Sequence, residues 1–338
     1  VTGAKAVNLV LAMTLIGYFS ATADIFGGAI QDVMFEFFGW LGPKALLTFS
    51  GCMVMTATAI FGFRVLERFS TATVPLLAGF MIYVVLVAMQ QSAWSEVLAY
   101  KGDGGMTFGQ AVSTIVGTNI LAAVLAPDFT RYARDDQAAI KSVMGLAIGY
   151  PIVMLASGIP TIVTGEIDIM KIMVGLGVTI SALYLLIVAT WTTNTINLYA
   201  SVLTLATIFT RQKTWILGLC ASVVGTTGAV IGLMTYFLPF VLILGVTTTP
   251  VAGIYIADYF FVRREKYRLQ DLPNYPPINY RAFVAWILGS LVGLATSWDF
   301  GVISTIPALD SLLVAFTCYL LANKFFSASG QLTAKLRD

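Results

Sequence analysis

The chain has 338 residues, of which 58% are hydrophobic and only 11% charged, with a net charge of +2 and no histidine. Soluble domains carry about 25% charged residues, so a chain this apolar fits a lipid bilayer better than water. The small net charge argues against a nucleic-acid partner, and the lack of histidine excludes histidine metal ligands, general bases and proton relays.

Ten segments are long and apolar enough to cross a membrane, because a spanning helix needs about 20 mostly apolar residues. In chain order they are 6–33, 45–64, 72–93, 107–127, 139–164, 171–208, 213–234, 238–262, 281–298 and 305–326. The sixth is long enough to tilt or to protrude from the bilayer. We therefore predict an all-α, polytopic membrane protein that forms a single transmembrane domain over 1–338.

The charges in the connections support this topology. If the chain starts inside, 16 lysines and arginines fall in inside connections and only 3 (Lys44, Lys101 and Lys171) in outside ones. Positive charge concentrates on the cytoplasmic side of membrane proteins, so we predict a multi-pass protein of the cytoplasmic (inner) membrane with both ends cytoplasmic. The chain enters an apolar run soon after Val1 without signal-peptide features, and we expect it to be a piece of a longer protein.

Polar side chains on the first and fourth spans are expensive in lipid and should face protein or water. On the first span, Asp24 suits either a ligand for substrate or proton, or a structural carboxylate bonded to a neighbouring helix. On the fourth span, Gly117, Thr118 and Asn119 indicate either a break at mid-membrane that exposes backbone groups or close packing through small residues.

The sixth span carries six hydroxyl or amide side chains between Thr190 and Asn197, more than helix packing requires. Threonine hydroxyls and backbone carbonyls suit a small hard cation such as Na⁺, and asparagine offers a donor and an acceptor to the edge of a heterocycle or an amide. On the eighth span, three threonines precede Pro250. Proline frees a backbone carbonyl that such hydroxyls can bond, which predicts a hinge or a static kink.

Four stretches carry a resemblance to a known family: WTTNTINLYAS (191–201), VGTNILAAVLAPDFTRYARD (116–135), TPVAGIYIADYFFVRRE (249–265) and GAKAVNL with IGYFS (3–20). At these residues the chain resembles the nucleobase:cation symporter-1 family, and within it the bacterial cytosine and purine permeases. The resemblance implies a twelve-helix, leucine-transporter-type inverted-repeat fold. The ten spans would be its third to twelfth helices, with the first two family helices absent.

The resemblance also implies a Na⁺ site on the sixth span. Its ligands would be the carbonyl of Ala189 and the hydroxyls of Thr192 and Thr193, completed by carbonyls of the absent first family helix. No further metal or cofactor is implied.

The substrate site implied by the resemblance lies between several helices. Tyr18, where the family usually has tryptophan, would stack on the substrate ring. Thr118 and Asn119 would read its edge from a broken helix, while Asn194, and with less support Asn197, would make amide contacts.

Two departures from the cytosine permease pattern put cytosine itself in doubt. Leu15 and Leu121 fall where that permease has polar residues. A related purine, pyrimidine or other amide-bearing ring is therefore the safer expectation.

Together these features predict a secondary active transporter that imports a nucleobase or related nitrogen heterocycle, coupled to Na⁺. H⁺ coupling through Asp24 stays open, as does an allantoin- or hydantoin-type cation symporter. A membrane enzyme is the alternative of another class, but the sequence offers no nucleophile–base pair and no cluster of metal ligands. If helices are missing, the 338 residues alone would be a non-transporting fragment. We infer no obligatory protein partner.

Overall fold

The computed structural model describes residues 2–61, 63–102, 104–130, 133–166, 169–177, 179–264, 276–298, 300 and 303–335. All regular structure in these ranges is helical. The α-helices are α1 (Thr2–Phe38), α2 (Lys44–Phe61), α3 (Phe63–Gln91), α4 (Trp94–Ala99), α5 (Phe108–Val124), α6 (Ala126–Thr130), α7 (Asp136–Thr164), α8 (Ile169–Gly175), α9 (Thr179–Ile208), α10 (Thr214–Val230), α11 (Phe237–Ile256), α12 (Tyr280–Ser297) and α13 (Pro307–Lys335). A 3₁₀ turn (Leu233–Tyr236) precedes α11, and a π-helical turn (Ala257–Val262) follows it.

Each of the ten predicted spans contains one long helix. Seven described helices have at least 18 residues and enough hydropathy to cross a bilayer, and the apolar α5 and α10 have 17 residues each. The tenth, α9, has 30 residues. The all-α, multi-pass prediction is confirmed.

The sixth predicted span differs from the prediction in one respect. Its first residues form the separate short helix α8, and α9 begins only at Thr179. Between them, Gly177 has a φ of +71°, a left-handed conformation that glycine adopts without strain. The predicted span therefore contains two helices, of which α9, with 30 residues, is still longer than a spanning helix requires.

Local sequence signals set several helix ends. Thr107 caps α5: its hydroxyl accepts the Gln110 N–H, and the Gln110 side chain accepts the Thr107 N–H. This reciprocal pair satisfies two donors that a helix N-terminus leaves unpaired. Asp135 caps α7 by accepting the Ala138 N–H at 2.7 Å, and Gly165 ends that helix with a φ of +69°, as left-handed C-terminal glycines do.

The chain divides into two compact units. The first comprises Val1–Ala6, Gly104–Ala133 and Tyr236–Asp338, and the second comprises Val7–Asp103 and Arg134–Thr235.

In the second unit, α1, α2, α9 and α10 share a core around the fully buried Phe19, Met55 and Leu198. A separate cluster packs α3 against α7 and α8 around Val84, with Ile172 and Leu176.

In the first unit, α11 packs against each of α5, α12 and α13. Glycines allow these helices to approach closely. A Cβ at Gly245 of α11 would lie 2.4 Å from the carbonyl oxygen of Ser113 on α5, and one at Gly253 would lie 2.7 Å from the carbonyl oxygen of Leu312 on α13. Small residues at such crossings let backbones meet in membrane proteins.

The start of α13 is held by a fully buried carboxylate, Asp310. It accepts hydrogen bonds from the Thr296 hydroxyl at 3.0 Å, from the backbone N–H groups of Ile303 and Ser304 at 3.1 and 2.9 Å, and from the Ser304 hydroxyl. These four donors compensate the loss of water around the charge and fix the connection that leads into the helix.

Candidate substrate and cation site

The polar side chains of α1 and α9 meet inside the second unit. The Thr22 hydroxyl lies 2.6 Å from the carbonyl oxygen of Tyr18, one turn earlier on α1, and it donates to Oδ1 of Asn194 on α9. Asn194 is fully buried, and its Nδ2 donates to the Met55 sulfur at 3.3 Å. Tyr18 is half-buried. The structure therefore brings Thr22 and the predicted substrate residue Asn194 together, and Tyr18 adjoins them through its backbone carbonyl.

Asn194 differs from the prediction in its surroundings. Both ends of its amide already have partners in the protein, and its side chain is shielded from the exterior by the α1–α2–α9 core. Asn197, three residues further along α9, is half-buried. Residues three apart share a helix face, so Asn197 extends the same polar strip with a more accessible amide.

The residues of the predicted cation site lie within one turn of α9. Ala189, Thr192 and Thr193 have the spacing i, i+3, i+4, which places them on one helix face. Thr192 is buried and its hydroxyl donates to the Val188 carbonyl at 2.7 Å, whereas Thr193 is exposed. Since a hydroxyl keeps two acceptor lone pairs while it donates, these residues fit the role of oxygen ligands for Na⁺.

Other hydroxyls of the polar stretch bond their own helix. Thr190 donates to the carbonyl of Leu186 at 2.7 Å, and Thr195 donates to that of Trp191 at 2.8 Å. This local bonding is common for threonine inside helices. The number of polar residues between Thr190 and Asn197 therefore overstates the number that face a binding site.

Asp24 lies on a different face of α1 from Thr22. It is 7% exposed, and its Oδ1 lies 2.7 Å from Nζ of Lys44, in the first turn of α2. The side chain of Lys44 is 46% exposed, so the ammonium group reaches the carboxylate from the surface of the unit. Of the two roles that the sequence left open for Asp24, this ion pair favours the structural one.

The fourth span is not broken. The helix α5 is continuous through Gly117, Thr118 and Asn119. The Thr118 hydroxyl and the Asn119 amide both donate to the carbonyl of Ile115, at 2.7 and 3.2 Å, so both groups satisfy their own helix. Of the two alternatives that the sequence left open, the structure supports close packing, because Gly117 lies directly against Val241 of α11, and it shows no break in α5. Thr118 and Asn119 belong to the first unit, whereas Tyr18 and Asn194 belong to the second.

Pro250 is buried within a continuous helix α11. Proline has no N–H for the carbonyl four residues earlier, that of Val246. Donors bond the carbonyls on either side of it: the Thr249 hydroxyl bonds the Gly245 carbonyl, and Nε1 of Trp286 on α12 donates to the Thr247 carbonyl at 2.6 Å. A threonine hydroxyl was predicted in this role, but the indole was not. A hinge at Pro250 stays a prediction.

Sequence reasoning assigned no role to Thr22, Met55, Lys44 or Trp286. Thr22 had a usable signal, since its spacing of four from Tyr18 places both on one face of α1. The other three gave no signal, because each acts on a helix that is distant in sequence.

Comparison with known proteins decides the family. A family model described as permease for cytosine/purines, uracil, thiamine, allantoin matches residues 1–316 of the chain. The chain belongs to this family. It is therefore a multi-pass membrane permease and not an enzyme, and the resemblance to the cytosine and purine permeases is confirmed.

Individual relatives within the permease family are distant. The chain is 28% identical over 325 residues to the cytosine permease of Escherichia coli (strain K12). This alignment covers 96% of the chain and 74% of the E. coli protein. It is 25% identical over 280 residues to the hydantoin permease of Microbacterium maritypicum. This second alignment covers 73% of the chain and 56% of the hydantoin permease.

Two structures of Mhp1, a nucleobase-cation-symport-1 family transporter, have the same fold. The closed conformation with bromovinylhydantoin bound aligns with a TM-score of 0.75 at 19% identity, over 95% of this chain and 76% of that one. The inward-facing conformation aligns with a TM-score of 0.76 at 20% identity, over 95% and 74%. The predicted leucine-transporter-type fold is confirmed.

Proposed function

We propose that this permease imports a nucleobase or a related nitrogen heterocycle across the cytoplasmic membrane by secondary active transport coupled to Na⁺. Its family and its relatives, which include a cytosine permease and a hydantoin permease, support this class of substrate. The hydantoin permease keeps an allantoin- or hydantoin-type ring as the second candidate.

The observation that carries the proposal is the junction of Tyr18, Thr22 and Asn194 in the second unit. The Thr22 hydroxyl and the Asn194 amide could bond the edge of a flat heterocycle, and the half-buried ring of Tyr18, one turn from Thr22 on α1, would be its stacking face. Because Asn194 is fully buried and already bonded, it acts by orienting Thr22 until substrate arrives. Asn197 provides the more accessible amide on the same strip of α9.

Thr118 and Asn119 stay a prediction for the substrate edge. Their polar groups are half-buried and bonded to the Ile115 carbonyl. A role in binding would require these side chains to exchange that local bond for one to the substrate.

Na⁺ is the coupling ion we propose, held by Ala189, Thr192 and Thr193 on α9. The adjacent turn of the same helix carries Asn194, so a cation there would order the helix on which the substrate contacts lie. Coupling of this kind raises each ligand's affinity for the other by the same factor, typically 5- to 150-fold. Asp24 already has the Lys44 ammonium as its counter-ion, which makes it the weaker candidate for carrying a coupling proton.

The orientation in the membrane follows from charge. With 16 cationic residues on the inside connections and 3 on the outside, the positive-inside rule supports cytoplasmic ends. In this orientation Lys44 and the Asp24 end of α1 face outward, and the basic residues after α11 face the cytoplasm. Alternating access would follow from one bundle rocking against the other, with Pro250 as the hinge.

Radiolabelled uptake by cells that express the natural full-length protein tests the proposal. Cytosine, uracil, adenine, hypoxanthine and allantoin are offered with and without Na⁺, to the parent and to Thr193→Ala. The matched control is Thr204→Ala, because Thr204 lies further along α9 and its hydroxyl bonds the Ala200 carbonyl at 2.8 Å.

We expect Na⁺-dependent uptake of one ring that Thr193→Ala reduces at least tenfold and Thr204→Ala leaves unchanged. Uptake that ignores Na⁺ and rises at low pH would refute the ion assignment. Absence of uptake for every ring would refute the substrate class.

A further inference from the structure

The end of α11 has an unusual geometry that the proposed function does not use. Residues Ala257–Val262 form a π-helical turn, and the Arg263 N–H donates to the Asp258 carbonyl five residues earlier, at 2.8 Å. The Arg263 side chain closes the same turn, since its Nε lies 2.8 Å from Oδ2 of Asp258. Isolated π turns within α-helices occur frequently at functional sites.

The ion pair depends on this turn. An α-helix has 3.6 residues per turn, so residues five apart lie about 140° apart around its axis. In a π turn they lie almost one above the other, because the hydrogen bonds run from i to i+5. Asp258 and Arg263 can therefore meet on one side of the helix only while the π turn is present.

A second helix holds the other oxygen of the same carboxylate. The Tyr319 hydroxyl on α13 donates to Oδ1 of Asp258 at 2.6 Å, and Nδ2 of Asn279, at the start of α12, donates to that hydroxyl at 3.3 Å. The Asp258 side chain is 14% exposed and that of Arg263 is 26% exposed. The carboxylate thus joins the end of α11 to α13 and, through the Tyr319 hydroxyl, to the start of α12, and both of its oxygens are bonded.

The π turn also sets which aromatic side chain faces α13. Phe261 packs edge-on against Phe316, with ring centroids 5.6 Å apart. Conversion of the turn to α-helix would shift the register by one residue and rotate the residues beyond it by about 100°. Phe261 would then leave Phe316, and Arg263 would leave Asp258.

The same end of the unit holds the first turn of α1. The Gly3 N–H donates to the Pro277 carbonyl at 3.0 Å, two residues before Asn279. The register of the π turn is therefore linked through Tyr319 and Asn279 to the segment on which α1 begins. Two apolar side chains in place of Asp258 and Arg263 could pack with equal stability. A hydrogen-bonded ion pair differs from them because it can favour one helical register over another.

We propose that Asp258 is a positioning residue for transport: it holds the end of α11 in the π register that the transport cycle requires. The expected effect of Asp258 on the rate of uptake rests on the proposed transport function. Asp258 is not among the residues proposed to bind substrate or ion, so we expect it to act on the rate of the cycle and not on substrate affinity.

Two kinetic variants and one reversal test this role. Asp258→Asn and Arg263→Gln each remove one charge of the pair, and Asp258→Arg combined with Arg263→Asp restores the pair with reversed signs. Glu36→Gln, which removes an exposed carboxylate at the end of α1, is the matched control. We expect each single variant to lower the kcat of uptake at least tenfold with KM within twofold of the parent. The reversal should recover at least a third of the parent kcat, and Glu36→Gln should match the parent.

Cross-linking between positions 261 and 316 tests the geometry of the π turn in the absence of substrate. Phe261→Cys and Phe316→Cys are combined in a background in which the three native cysteines (Cys52, Cys220 and Cys318) are changed to Ala. A short bifunctional thiol reagent should join the pair efficiently, and Asp258→Asn should lower the yield at least threefold. The charge reversal should restore the yield.

The proposal would be overturned if Asp258→Asn had the same kcat of uptake and the same cross-linking yield as the parent. So would a rise in KM that matches the fall in kcat/KM, or a loss that the charge reversal does not repair. If the parent transports no ring at all, the proposed substrate class is wrong, and the cross-linking yield alone decides whether Asp258 holds the π turn.

Discussion

The contact between α5 and α11 at Gly117 yields the sharpest stability prediction. A Cβ at position 117 would lie 1.8 Å from the carbonyl oxygen of Val241 and 2.9 Å from the backbone nitrogen of Gly245. Even weak carbon–oxygen contacts need about 3.3 Å. Both obstacles are backbone atoms of α11, which cannot rotate away as a side chain would, so Gly117→Ala must push the helices apart by more than an ångström.

The cost follows from what this separation disrupts. Overpacking a well-filled core typically costs about 1–3 kcal/mol. At this crossing a second close approach, between Gly245 and the Ser113 carbonyl, is lost at the same time. We therefore expect Gly117→Ala to lower the free energy of unfolding by about 3 kcal/mol, at the upper end of that range.

Thermal unfolding of the purified protein in detergent measures the effect, and Gly149→Ala is the matched control. Gly149 lies inside α7, and no neighbouring group comes within 4 Å of the position that a Cβ would occupy there, so alanine gains up to about 1 kcal/mol of helix propensity. The two substitutions should shift the Tm in opposite directions. A Tm for Gly117→Ala at or above that of the parent would refute the close packing of α5 on α11, and an equal fall in both would show that neither reports it.

Three further predictions concern single groups. Lys44→Met should destabilise the protein by about 1–3 kcal/mol, because it leaves the buried Asp24 carboxylate without its partner. Adding Asp24→Asn should recover most of the lost Tm, and additive effects of the two substitutions would contradict the ion pair. Pro250→Ala should raise the Tm, since proline inside a helix costs about 3 kcal/mol. If Pro250 is a hinge, the same substitution should slow uptake, whereas unchanged uptake would indicate a static kink. Asp310→Asn should lower stability by about 3 kcal/mol, because it replaces one acceptor oxygen with an NH₂ group that would face the existing donors. A Tm equal to that of the parent would contradict the four hydrogen bonds to Asp310.

Local signals predicted the helices well and one helix interior poorly. Each of the ten apolar segments predicted from hydropathy contains one long helix in the structure. By contrast, Gly117, Thr118 and Asn119 combine residues that weaken helices, yet α5 continues through them. Packing against α11 outweighs the low helix propensity there, and propensity is only a weak prior when tertiary contacts are present.

The candidate site was predicted in part for a related reason. The types of residue between Thr190 and Asn197 indicated a polar site on the sixth span. The family resemblance alone implied Thr192 and Thr193 as cation ligands and Tyr18 as a substrate residue. Spacing could not say that the hydroxyls of Thr190 and Thr195 turn back to their own helix. Nor could it say that Thr22 meets Asn194, 172 residues away.

The sequence by itself determined the all-α, membrane-spanning class, the ten apolar segments and the membership of a permease family. These properties depend on the hydropathy and order of residues within single segments, since a bilayer admits only backbone that satisfies its own hydrogen bonds. Only the tertiary structure decided that Lys44 neutralises Asp24, that Trp286 bonds the Thr247 carbonyl near Pro250, and that α11 ends in a π turn. Each of these depends on how a helix is rotated about its axis and on which distant helix faces it.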